Sequence, residues 1–237
     1  MLTIGVSLKL YLDIPSTLDW CERVLALLAD RPWVAGRVRL WVAPSLPALP
    51  LVAERVRGSA LAVGAQDLFW AERGPYTGAV SGADLAALGC RYAVVGHAER
   101  RRLFGEDDAV VARKTAAALR TGLTPVICVG EAHPGPAAAK ECVRQLDAAL
   151  GSTDPAPVVV AYEPVWAIGA AEPAGVDHIA AVCDALRARV PDSPVVYGGS
   201  AGPGLLTRLR GAVDGLFLGR FAHDPAALAD VLDEAAP

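Results

Sequence analysis

Three side chains able to hold charge or move a proton fall where apolar runs give way to loops. They are Lys9 after the run Leu2 to Leu8, His97 closing YAVVGH, and Glu163 closing VVVAYE. A carboxylate at the end of a buried run is a stronger base than one in water, and Pro164 stiffens the chain just behind it. The plainer reading of Glu163 is a salt bridge to an arginine. The following stretch, PVWAIGAAEPA, is loop-like yet carries Trp166 and Ile168, which suits a lid closing apolar side chains over a site. His97 precedes AERRRLF, so its ring is expected at a helix start, where the dipole disfavours the imidazolium and leaves a neutral donor for a carbonyl oxygen. A structural histidine is the alternative. Lysine occurs only as Lys9, Lys114 and Lys140. Lys9 alone sits in an apolar context, VSLKLYL, where its ammonium either snorkels to water or forms a fixed positive charge for an anionic substrate. Lys114 and Lys140 read as solvated.

Two segments look suited to phosphate. Tyr197 to Gly202 (YGGSAG) and Leu218-Gly219-Arg220 each leave backbone N–H groups open ahead of a helical stretch, as an anion site needs. Tight turning alone would also explain Gly-Gly-Ser. No P-loop, GxGxxG in strand–helix context or metal-ligand cluster is present. His133, His178 and His223 lie in polar stretches and are expected at the surface. The basic run Arg100 to Arg102 faces Glu99 and Glu106 to Asp108 in sequence, a solvated or internally paired face. Cys21, Cys90, Cys128, Cys142 and Cys183 are odd in number, widely spaced and without a CxxC pair, so they read as buried or incidental thiols in a reducing compartment.

The elements that must position these groups follow from length and patterning. At 237 residues, 53% hydrophobic and 20% charged, the chain has ample apolar surface for one large core and is near the size of an α/β barrel. A net charge of -4 argues against a nucleic-acid binder. No apolar run reaches membrane-spanning length and the first residues lack a signal-peptide pattern, so a soluble, cytoplasmic protein is expected.

Eight strand-length apolar runs are visible: Leu2 to Leu8, Val38 to Ala43, Ala60 to Ala65, Tyr92 to Val95, Thr124 to Val129, Val158 to Tyr162, Pro194 to Tyr197 and Gly215 to Leu218. Helical spacing lies between them, clearest at Leu18, Cys21, Leu25, Leu28 and at Ile179, Val182, Cys183, Leu186, Val190. Ala132 to Ala139 reads as a loop entering a helix. Near-continuous apolar strands suit a parallel sheet covered on both faces. Eight βα units point to one (β/α)8 barrel domain spanning 1–237, with a doubly wound open sheet as alternative. In a barrel the strand ends converge on one face, and there fall Lys9, Gln66, His97, Glu131, Glu163 and Ser200 after the first, third, fourth, fifth, sixth and seventh strands.

With Lys9, GHAERR, AYEPVWAIG, YGGS and a Gly-ended eighth strand in this order, the sequence resembles the triosephosphate isomerase family over essentially its whole length. GPYTG at Gly74 to Gly78 and PVICVGE at Pro125 to Glu131 also look like family segments. The resemblance implies an aldose–ketose isomerase of glycolysis and gluconeogenesis that needs no metal or organic cofactor. It also implies a homodimer formed through the Gly74 to Gly78 loop. Glu163 becomes the base moving a proton between adjacent carbons and His97 the neutral electrophile at the carbonyl, a pairing for which this family is the standard example. Lys9 would stabilise the enediolate and the phosphate, and Gly169, Ser200 and Gly219 would supply phosphate N–H donors.

Four departures from the family pattern cluster near the substrate. Ser7 stands where an Asn is usual, Ala98 replaces a Ser, Glu172-Pro173 replaces the Lys-Thr of the lid hinge, and Arg220 replaces the second Gly of a pair. Arg220 either contacts phosphate or points away. The default substrates are dihydroxyacetone phosphate and glyceraldehyde 3-phosphate. The alternative is a paralogue resembling the L-erythrulose 1-phosphate isomerases of tetritol catabolism, which Ser7, Ala98 and Arg220 favour. A non-catalytic sugar-phosphate sensor would keep the phosphate donors but lose the proton-transfer groups. A Schiff-base aldolase would have only Lys9 as its nucleophile.

Overall fold

The computed structural model describes residues 1–151 and 158–236. Eight parallel strands, β1 (Leu2–Ser7), β2 (Val38–Ala43), β3 (Leu61–Ala65), β4 (Tyr92–Val95), β5 (Thr124–Val129), β6 (Val159–Tyr162), β7 (Val195–Tyr197) and β8 (Gly215–Leu218), pair in chain order. β8 returns to β1 in the register Thr3↔Gly215 to Val6↔Leu218, so the sheet closes and the open-sheet alternative is excluded. The first strand stops one residue short of the apolar run. Leu8 still donates to the Ala43 carbonyl at 3.1 Å, but Lys9 turns to φ 48° and ends the pairing.

Helices α1 (Ile14–Ala29), α2 (Val34–Arg37), α3 (Leu49–Arg55), α4 (Gly82–Ala87), α5 (Ala98–Phe104), α6 (Asp108–Arg120), α7 (Ala138–Leu150), α8 (Val176–Arg189), α9 (Leu205–Arg208) and α10 (Pro225–Asp233) surround the barrel. Their starts follow capping chemistry: Asp13, Asp107 and Asp224 accept backbone N–H groups of the first turns of α1, α6 and α10. The stripes read from spacing face inward, with Cys21 and Leu28 of α1 and Ile179, Val182, Cys183 and Leu186 of α8 all buried. All five cysteines are buried and free, as expected. Among the described residues no helix is long and apolar enough to cross a membrane.

Strand alternation divides the core in two. Ile4, Val6, Leu40 and Val42 pack outward against the helices. Trp41, Val94, Val126, Val159, Val196 and Phe217 fill the barrel interior. Trp41 stacks on Tyr92 and Phe217 with ring centroids 5.0 and 5.3 Å away. Its indole lies so close to Gly5 that a Cβ there would collide with Cζ2.

Lys114 departs from the sequence expectation. It is 3% exposed, with Nζ 2.6 Å from both Asp67 Oδ1 and Glu106 Oε1. The basic run meets the same cluster: Arg100 pairs with Asp67 at 2.9 Å and with Glu106 at 2.6 Å, while Arg101 pairs with Asp108 at 2.7 Å. The polar neighbours of Lys114 in sequence suggested water, but α6 is packed so that this position meets two carboxylates. Replacing Lys114 by Met leaves Arg100 as the remaining cation for both carboxylates and is expected to cost about 3 kcal/mol, read as a lower urea midpoint. A Glu106→Gln/Lys114→Met pair should recover part of the loss, and an unshifted midpoint for Lys114→Met alone would mean that water already reaches the cluster.

Candidate active site

Lys9 leaves β1 in a left-handed conformation, φ 48°, shared among non-glycine described residues only by Ser200 at φ 51°. Such geometry is strained for L side chains and persists only where the surroundings hold it. For Lys9 the hold is explicit: Gln66 Nε2 donates at 3.0 Å to both the Lys9 and Ala43 carbonyls. Lys9 Nζ lies 2.6 Å from Glu99 Oε1. Burial works against ionising Glu99, but the hydrogen bond from Lys9 and the neighbouring positive groups outweigh it and hold that carboxyl below its ordinary range. Sequence pattern marks Glu99 only as a neighbour of the basic run. Its contact with Lys9 bridges 90 positions of chain, which local pattern does not reveal.

His97 is the N-cap of α5, and its Nδ1 accepts the Glu99 backbone N–H at 3.1 Å. Only an unprotonated nitrogen can accept, so this contact favours the neutral ring with its proton on Nε2. Nε2 faces Glu163 Oε2 at 3.2 Å. Burial pulls the imidazole pKa down, yet the charge and hydrogen bond of Glu163 outweigh it and the net direction is upward. That direction runs against the expectation of a neutral ring. It belongs to the arrangement in which Glu163 rests against the histidine, and the backbone N–H at Nδ1 opposes it.

Glu163 is buried at the end of β6. Its backbone N–H donates to the Val129 carbonyl at 2.8 Å, and Gly198 donates to the Tyr162 carbonyl at 2.9 Å, so β5 and β7 clamp the residue from either side. The glycine at 198 is required by this packing, because a Cβ there would lie 2.7 Å from Glu163 Cγ and Oε1.

The lid behind Glu163 begins with a 3₁₀ turn, Val165–Ala167, and is tied down at three points. Ser200 Oγ lies 2.8 Å from the carbonyls of Ala167 and Ala170, Ala174 N–H donates to Tyr197 Oη at 2.9 Å, and Trp166 Nε1 donates to Glu131 Oε1 at 2.8 Å. Glu131 Oε1 also meets Tyr162 Oη at 3.1 Å and His178 Nε2 at 2.9 Å. Glu131 therefore anchors the lid rather than facing the cavity. His178 is half-buried on it, and His223 is half-buried with Nε2 3.1 Å from the Ser7 carbonyl. The expectation of surface placement holds for His133 alone of these three.

A cavity of about 1130 Å³ opens between these groups. Ser7, Lys9, His97, Glu163, Gly169, Ser200, Gly219 and Arg220 all line it, as does Ala98. The carboxylate, the ring and the ammonium thus share one hollow, with the glycine-rich ends of β7 and β8 on its rim. Among the described residues no group of three or more His, Cys, Asp or Glu side chains could hold a metal ion.

The barrel gathers a carboxylate, an imidazole and an ammonium at its C-terminal mouth, an arrangement suited to proton transfer on an anionic ligand. The family model described as triosephosphate isomerase matches residues 2–235, and the chain belongs to the triosephosphate isomerase family. Among curated relatives, an L-erythrulose-1-phosphate isomerase of Pectobacterium atrosepticum is 50% identical, covering 99% of this chain and 95% of that protein. A second L-erythrulose-1-phosphate isomerase, from Mesorhizobium japonicum, is 37% identical over 98% of this chain and 96% of that protein. A triosephosphate isomerase of a Synechococcus strain is 39% identical over 90% of this chain and 88% of that protein.

Gly198→Ala should push the Glu163 carboxylate off its position. A displacement of about 1 Å at a reacting group costs on the order of 10²-fold in rate. Turnover of the purified variant, with its melting temperature as control, checks this; unchanged turnover would show that the carboxylate does not need that seat.

Proposed function

We propose that this enzyme isomerises a four-carbon ketose phosphate, L-erythrulose 1-phosphate, by moving a proton between two adjacent carbons. The reading rests on one observation above others: Glu163 and His97 face each other at 3.2 Å in a cavity that also holds Lys9 and is lined by the short side chains Ser7 and Ala98. The substrate has its carbonyl at C2, between the phosphate-bearing C1 and the hydroxyl-bearing C3. Glu163 takes the proton from C3 while the electron pair moves to the C2 oxygen, which His97 Nε2–H and Lys9 stabilise. Return of a proton to C2 and reformation of the carbonyl at C3 give a ketose with its phosphate at the other end of the numbering. A ligand between Glu163 and His97 removes the contact that draws the ring toward protonation, leaving the N–H at Nδ1 to favour the neutral form.

The phosphate is held in this reading by backbone N–H groups of Gly169, Ser200 and Gly219, with Arg220 adding a side-chain contact. Dihydroxyacetone phosphate is the same phosphate–carbonyl–carbinol unit without one hydroxymethyl group. The shorter side chains at 7 and 98, compared with the Asn and Ser of the family pattern, leave room for that group. The two relatives named L-erythrulose-1-phosphate isomerase, which the chain matches almost end to end, support the same choice. A triosephosphate isomerase is the second reading, favoured by the Synechococcus relative and by the unaltered proton-transfer groups. The enzyme acts in the cytoplasm as a homodimer in which the exposed Gly74 to Gly78 loop, with the Tyr76 ring tilted against Phe69, reaches a second copy.

Glu163→Gln is expected to lower turnover by roughly 10²- to 10⁴-fold, the span usual for a positioned base; full activity would remove its assigned role. Comparing kcat/KM on L-erythrulose 1-phosphate and dihydroxyacetone phosphate should favour the former, and a preference for the three-carbon substrate would move the assignment to the second reading.

A further inference from the structure

The opposite end of the barrel holds a second cavity, of about 690 Å³, beneath β2, β3 and β4. Three arginines line it: Arg39 from β2, Arg57 from the loop after α3, and Arg91 just before β4. No Asp or Glu is among its lining residues, and among the described residues none of the three guanidiniums has a carboxylate partner. Elsewhere Arg31, Arg101, Arg144 and Arg187 each reach a carboxylate. Arg39 is also anomalous within its strand. It is the one exposed residue of β2, and its parity with Trp41 and Ala43 turns it toward the N-terminal mouth of the barrel. Tyr92 stands at the same place. Burial pushes its phenol pKa up while Arg39 and Arg91 pull it back, so both guanidiniums act on that one hydroxyl.

Three exposed arginines without carboxylate partners around one hollow repel one another, and an anion relieves that repulsion. The geometry points to a second ligand site at this mouth, for a pyrophosphate group held by Arg39, Arg57 and Arg91. Three guanidiniums suit about three negative charges, more than a single phosphate carries, and their planar donor forks match phosphate oxygens pairwise. The volume lies within the roughly 300–1,000 Å³ usual for small-ligand sites. Leu88, Val56 and Ala53 add an apolar wall that a group attached to the pyrophosphate would meet.

The test is calorimetric titration of the full chain with inorganic pyrophosphate, ADP and citrate at fixed ionic strength. An Arg39→Gln/Arg57→Gln/Arg91→Gln variant should bind pyrophosphate at least about tenfold more weakly while keeping its isomerase kcat, KM and melting temperature. Pyrophosphate that enters the active site instead would appear as competitive inhibition, unaltered by these substitutions. A control with three other exposed arginines replaced, Arg23, Arg113 and Arg208, should bind as the parent does. ADP binding as tight as pyrophosphate supports the site and identifies a nucleoside-borne ligand; weaker ADP binding supports a free one. Equal weakening in both triple variants, undiminished binding in the first, or citrate binding as tight as pyrophosphate overturns the proposal.

Discussion

A buried carboxylate must be compensated, and the C-terminal mouth of this barrel is organised around that demand. Glu163 sits at the end of β6, nearly closed off from solvent, with an imidazole nitrogen 3.2 Å away as its polar partner. A neutral N–H at that distance holds the carboxylate in place without adding a second charge to the buried site. The ring can play that part because α5 starts immediately after it and the Glu99 N–H occupies its other nitrogen. The nearby ammonium of Lys9 is directed to Glu99. One short helix thus sets both the tautomer of the histidine and the direction of the lysine.

Backbone strain is concentrated on the same rim. Among the described residues the two non-glycine positions with positive φ, Lys9 and Ser200, follow β1 and β7, strands separated around the barrel by β8 alone, and each is fixed by hydrogen bonds with a different part of the chain. At Lys9 the tie comes from the end of β3; at Ser200 it comes from the lid. The conformation of Ser200 is therefore coupled to the position of residues 167 and 170.

Most of the barrel was legible because strand and helix periods are local properties. β2, β4, β5 and β8 begin and end where the apolar runs do, and the stripes of α1 and α8 face the core. Closure was not legible, since no run of residues announces that β8 pairs with β1. The site was legible through strand ends, which a barrel must gather. Lys114, Glu131 and His178 were not, for a common reason. Their surroundings come from partners between 31 and 47 positions away across the helical layer, apart from the nearer Glu106 and Cys142. Polar neighbours along a sequence describe composition, whereas burial depends on which surface the element is packed against.

The indole stacked between Tyr92 and Phe217 bears on the molecule as a whole. With Trp41 across the axis and small residues giving way around it, the middle of the barrel is a solid partition, not a conduit. Neither water nor ions can percolate from one rim to the other through such a plug. Solutes that enter at one rim are thereby kept from the other, and the side chains of each rim are free to diversify without opening a path to its opposite.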